Sequence, residues 1–171
     1  MPLWKDGRFL ADDWPIVEDD ALLPEGKCLV GVERWRRDRV TLADRNVALG
    51  LLIAPGTAWN EVVGDLARFP VVAVSFPKYG DGRAFSIARL LRERDGYAGE
   101  IRAVGAYIID QVPLMMRVGF DAFLTDNPIL IRAFEMGEWP EVPHYLQPAL
   151  DRDAEVPAGS RPWLRVRRRR D

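Results

Sequence analysis

"FPVVAVSFPKYGDGRAFSIARLLRER", residues 69–94, decides the fold. Its first half, VVAVSF, is an unbroken apolar run of strand length that stops at Pro77. A glycine-rich loop follows. Ile87, Ala88, Leu90 and Leu91 then recur at helical spacing, with Phe85 at the start. A strand apolar on both faces, followed directly by a helix, is the unit of a parallel sheet covered by helices.

The same alternation extends in both directions. VALGLLIAP reads as a strand ended by Pro55-Gly56, and Thr57 as the N-cap of a helix carrying Trp59, Val62, Val63 and Leu66. IRAVGAYII is a third strand, and Asp110 is expected to cap the short helix DQVPLMMRVG. Phe120 to Leu124 is a fourth strand. Asp126 or Asn127 caps a last helix with Pro128 at its first position. Upstream, LWKDGRFL reads as a hairpin around Asp6-Gly7, Trp14 to Val17 as an extended arm, and Cys28 to Val32 as a short strand. ERWRRDRVTLADRN fits a loop or a short helix equally well.

The expected class is therefore α/β, with repeated parallel βα units over 47–137 and an N-terminal β-hairpin. Four such units make half of a (β/α)₈ barrel, or else a small open Rossmann-like or flavodoxin-like sheet. A half barrel leaves edges open, so a homodimer is expected. We read 1–150 as one domain, with 1–17 as hairpin and arm, and 151–171 as a basic, flexible tail. The proline-rich EWPEVPHYLQP reads as a closing arm.

Composition bounds the function. The 171 residues carry a net charge of −2, unevenly placed. Six arginines and one aspartate in 161–171 give that segment a net of +5, leaving −7 for the rest. The tail holds one aromatic residue, Trp163, which gives nucleic-acid stacking little support. No apolar stretch approaches the ~20 residues of a membrane span, and MPLWKDGRFLADDW has no signal-peptide core, so a cytoplasmic location is expected. Cys28 is the only cysteine and His144 the only histidine. They fall short of a zinc site or an iron–sulfur cluster; carboxylate ligation stays open, and no metal site is assigned. Cys28 reads as core and His144 as a surface residue. No G-x-S-x-G elbow accompanies the histidine.

In parallel α/β folds the loops after the strands share one rim, where sites form. Lys78, Asp81, Gly82, Arg83, Asp110 and Gln111 fall on it. The 77–83 loop has three readings: a strand-to-helix turn with Asp81 as N-cap, an anion site built from Gly82, Lys78, Arg83 and a helix N-terminus, and a weak dinucleotide fingerprint in which Phe85 replaces the third glycine. Asp110 and Asp81 are the candidate catalytic groups. Lys78, Gly82, Arg83, Gln111 and Arg117 are the candidate anion contacts. Arg117 also has a plain reading at a helix C-terminus, and Arg102, opening its strand, belongs to the opposite end.

Residues 76–123 resemble the signature of a bacterial domain-of-unknown-function family, nine-three-four (DUF 934). The resemblance rests on Phe76, Pro77, Asp81, Gly82, Arg83, Ser86, Ala88, Arg89, Leu91 and Arg92, then on Gly99, Glu100, Arg102, Ala103 and Gly105. It continues through Asp110, Gln111, Arg117, Gly119, Phe120 and Asp121. Tyr79 stands where the family usually has Phe, and Val118 where it often has Cys. Any role of that cysteine elsewhere is closed to this chain. The resemblance implies a part in sulfite reduction, as an oxidoreductase or an accessory protein beside a sulfite or nitrite reductase. The cofactor is left unknown. Two other readings stand beside it: a half-barrel enzyme acting on a phosphorylated metabolite, and a non-catalytic interaction module in which Arg83, Arg102 and Arg117 pair with Asp81, Glu100 and Asp121.

Overall fold

The computed structural model describes residues 1–140, 144–146, 155–158 and 161–167. A β-hairpin opens the chain, β1 (Pro2–Lys5) and β2 (Arg8–Ala11). Asp6 (φ 51) and Gly7 (φ 77) turn it, the two left-handed residues that a tight hairpin requires. Two strands follow, β3 (Ile16–Val17) and β4 (Cys28–Gly31), then α1 (Val32–Ala43) and β5 (Leu49–Ile53). A 3₁₀ segment (Trp59–Arg68) leads into β6 (Val71–Phe76), α2 (Arg83–Glu93) and β7 (Glu100–Gly105). After a 3₁₀ turn (Ile109–Gln111) come α3 (Val112–Arg117), β8 (Ala122–Leu124) and α4 (Pro128–Met136).

All eight strands form one sheet in the order β2-β1-β8-β7-β6-β5-β4-β3. From β8 to β3 every pairing is parallel, while β1 pairs antiparallel with both β2 and β8. The parallel order never reverses, so the sheet lacks the switch point of an open doubly wound fold. Its two edge strands, β2 and β3, are joined by residues 12–15 alone. Eight flat strands would set those edges ~34 Å apart, but the five steps from Ala11 to Ile16 reach only ~18 Å. The sheet must curl. The result is a half-barrel-like α/β fold, in which the hairpin extends the sheet and β4 with α1 adds a unit to the four expected.

The two faces differ. Val72, Val74, Phe76, Ile101 and Phe123 point to the helices and pack on Trp35, Leu66, Ile87, Leu91 and Phe134. Leu3, Leu29, Val71, Ala73, Val104, Ala122 and Leu124 line the helix-free face beneath Trp14. Gly50 allows that cover: a Cβ there would lie 2.8 Å from the Val71 carbonyl oxygen and 3.3 Å from the Trp14 ring. Cys28 is fully buried, and His144 is exposed.

Local differences from expectation have local causes. Thr57 does not cap a helix. Its hydroxyl donates back to the Ala54 carbonyl (2.8 Å), and the segment beyond winds as 3₁₀. Asp110 lies inside the 3₁₀ turn, and Gln111 takes the N-cap position of α3. α4 matches its signals: Asn127 Oδ1 accepts from the Ile129 N–H (2.9 Å), Pro128 opens the helix, and Gly137 (φ 64) closes it.

Within the basic tail, β9 (Glu155–Ala158) and β10 (Arg161–Arg167) pair antiparallel as a separate ribbon, tied by a bridge between Arg165 and Tyr145. The arginine run at 168–170 and parts of the closing arm, 141–143 and 147–148, lie outside the described residues.

Candidate functional site at the C-terminal rim

Three of the loops that the parallel strands deliver to one edge are 54–58 after β5, 77–82 after β6 and 106–108 after β7. Gly105 (φ 98) brings the last two together, because a Cβ there would meet the Phe76 carbonyl oxygen at 2.5 Å. The Ala106 N–H donates to that same oxygen at 2.7 Å.

Asp81 and Arg83 form the centre. Arg83 Nε donates to Asp81 Oδ1 (2.9 Å) and Nη2 to Oδ2 (2.7 Å), while the Arg83 backbone N–H also donates to Oδ1 (3.2 Å). One carboxylate thus holds the first N–H of α2 and both arms of a guanidinium fork. The Asp81 side chain is buried, whereas that of Arg83 is 61% exposed. The hydrogen bonds from Arg83, aided by Lys78, hold the Asp81 carboxyl down at about 2. Among the described residues Arg83 Nη1 has no hydrogen-bond partner, and it faces the 54–58 loop, 3.5 Å from the Cβ position of Gly56.

Gln111 locks the neighbouring loop. Its Nε2 donates to the Tyr79 carbonyl (2.8 Å), and its Oε1 accepts from the Ile108 N–H (3.1 Å). Lys78 and Tyr79 are exposed in the 77–82 loop, Gly82 is exposed at the start of α2, and Asp110 is exposed with no hydrogen-bond partner among the described residues. The rim therefore joins Lys78, Asp81, Gly82 and Arg83 to Gln111 and its neighbour Asp110.

Arg117 lies elsewhere. α3 runs from the rim toward the start of β8, and Arg117 ends it. Its guanidinium sits over the Tyr145 ring, 4.5 Å from the centroid. It does not pair with Asp121, whose carboxylate binds Arg92 and the Ile101 N–H (2.8 Å).

A family model described as "bacterial protein of unknown function (DUF934)" matches residues 50–156. The chain belongs to the DUF934 family. The match runs from within β5 into β9 and so takes in the whole rim. No curated protein matches this DUF934 chain, and no solved structure does.

The opposite rim holds Arg92 and Asp12, whose roles the sequence did not disclose, and Arg102, whose expected pairing with Glu100 forms. Arg92 donates to the carbonyls of Tyr97 (2.6 Å), Gly99 (2.8 Å) and Gly119 (3.0 Å), and to the Asp121 carboxylate. It clamps the end of α2 to the start of β7 and the α3–β8 turn. Arg102 donates to Asp12 (2.6 Å) and Glu100 (2.8 Å), and Lys5 donates to Glu100 (2.8 Å). This network ties the 12–15 connection to the middle of the sheet. Among the described residues no group of three or more His, Cys, Asp and Glu side chains gathers as metal ligands. No helix there is long and apolar enough to cross a membrane.

Proposed function

We propose that this chain is an accessory protein of assimilatory sulfite reduction that holds a small oxyanion at the C-terminal rim, with Arg83 as its direct contact. The observation that carries the reading is the divided guanidinium. Asp81 fixes its plane and leaves Nη1 beside Gly56, with Lys78 on the same loop. A pre-positioned guanidinium edge suits a planar or pyramidal oxyanion, because no side-chain entropy remains to be lost on binding. Asp81, kept ionised by Arg83, has no proton to give near neutral pH. Asp110 is the carboxylate left free to accept or return one. The pathway itself rests on the resemblance of residues 76–123. Two experiments test the reading. Tagged protein should co-purify with a sulfite or nitrite reductase subunit at low salt, and its complete absence at every salt counts against the pathway. In a thermal-shift panel sulfite should stabilise the protein. Stabilisation by phosphate esters alone would favour an enzyme of phosphorylated metabolites instead.

A second reading has its own support. Asp81 already occupies two of the three guanidinium nitrogens of Arg83, as a purely structural pair would. In an interaction module of that kind, Arg83→Ala lowers the melting temperature and no oxyanion binds.

A further inference from the structure

α4 buries one face and leaves another bare. Leu130 and Phe134 turn inward, where Phe134 stacks on Trp4 (4.7 Å between ring centroids) and meets Phe9 edge-on. On the outer side Ile129, Ala133 and Met136 follow at i, i+4 and i+7, a single stripe along the helix. Ile129 is 70% exposed and Met136 53%, so the stripe presents apolar surface to solvent. Together with Pro128, Arg132 and Glu138 these residues line an open hollow. A contiguous apolar surface of this kind marks an interaction site more often than scattered single residues do.

The charges beside the stripe point to its cover. Arg132 and Glu135 are exposed, lie three residues apart on the same border, and have no hydrogen-bond or ion-pair partner among the described residues. A complementary surface is apolar, with an acidic group opposite Arg132 and a basic group opposite Glu135. α4 itself meets that description when turned end for end about a two-fold axis beside Ala133. The axis keeps the charged border on one side and reverses its order. Arg132 then meets the partner's Glu135, and Ile129 meets the partner's Met136. The small Ala133 at the crossing lets the two helices approach closely. We infer that α4 is the centre of a homodimer interface, packed antiparallel on the α4 of a second copy. The homodimer expected from open sheet edges thus forms through a helix face. The nine residues of α4 span ~14 Å and cannot alone supply the ~800 Å² per partner of a standard interface, so the dimer is reversible. The inference does not depend on the oxyanion rim.

Sedimentation velocity of the full chain from ~5 to ~300 µM, at low salt, reads the equilibrium. The weight-average mass should rise from monomer toward dimer across that range. Ile129→Lys should weaken association ~10-fold or more. Arg132→Glu sets like charges across the axis and should weaken it ~5-fold or more. Arg132→Glu combined with Glu135→Arg restores both ion pairs in reverse and should return to within ~3-fold of the wild type. All these positions are exposed, so melting curves at the lowest concentration should match that of the wild type. A wild type that stays monomeric at the highest concentration, a dimer indifferent to Ile129→Lys, or a double charge variant no tighter than Arg132→Glu alone would each overturn the inference.

Discussion

At the C-terminal end of the parallel strands, Arg83 gives two nitrogens to Asp81 and keeps its side chain 61% exposed. At the N-terminal end, the Arg102 side chain is 2% exposed and surrounded by Asp12 and Glu100, and Arg92 spends its guanidinium on three carbonyls and a carboxylate. All three arginines lie within the residues that the family model matches. Their surroundings separate them. A guanidinium consumed by the protein holds the fold, and one held in place but only partly consumed is available to a ligand. Parallel α/β architecture favours this division, since binding loops gather at the strands' C-terminal ends and the other end is left to stability.

The comparison breaks first at Arg102. Arg102→Met leaves Asp12 and Glu100 facing each other without their shared cation, so urea unfolding should show a loss of ~3–5 kcal/mol. A loss below ~1 kcal/mol would remove Arg102 from the structural class. Arg92→Lys comes next. It keeps the charge but cannot span three carbonyls and Asp121, and ~1–3 kcal/mol should disappear in the same assay. Full stability in that variant would show that the clamp is dispensable.

The smallest expected effect is acid-dependent. The folded Asp81 carboxyl lies at about 2, below the ~3.9 of an unfolded chain. Its pairing with Arg83 therefore adds stability above the unfolded value. That contribution fades as pH falls from ~4 toward ~2. Carboxyl-carbon NMR should give Asp81 a midpoint near 2. A midpoint close to the unfolded value would mean that the fork does not persist in solution.

How much of this was legible in the chain depends on the element. β5 and β6 are apolar runs closed by Pro55 and Pro77, and α4 is bracketed by Asn127-Pro128 and Gly137. Those are local signals and read directly. The strand expected over IRAVGAYII instead ends at Gly105, whose left-handed backbone (φ 98) turns the chain before Tyr107. α1 was ambiguous because Arg34, Arg36, Arg37 and Arg39 interrupt its apolar stripe; Arg34 is nonetheless buried, donating to the Glu18 carbonyl (2.7 Å). The curl of the sheet depends on a short connection between its two edges, which is visible only once the strand order is known. The rim could be placed from the strand ends, including Lys78, Asp81, Arg83 and Gln111. Arg92 could not be assigned, because a helical arginine defaults to solvent and its carbonyl partners on the β7 and β8 approaches come together only in the fold. Arg102 could be placed at the far end but not partnered with Asp12, which is 90 positions away in sequence.

The central claim is that Arg83 serves a ligand and Arg102 serves the fold. Calorimetric titration of sulfite into the wild type and Arg83→Gln, with a melting curve for each, tests it most directly. The account predicts saturable binding by the wild type, none by Arg83→Gln, and a melting temperature only ~2–4 °C lower in the variant, the cost of one half-exposed ion pair. A wild type that binds no oxyanion, together with an Arg83→Gln variant that melts well below it, would contradict the account and place Arg83 with the structural arginines.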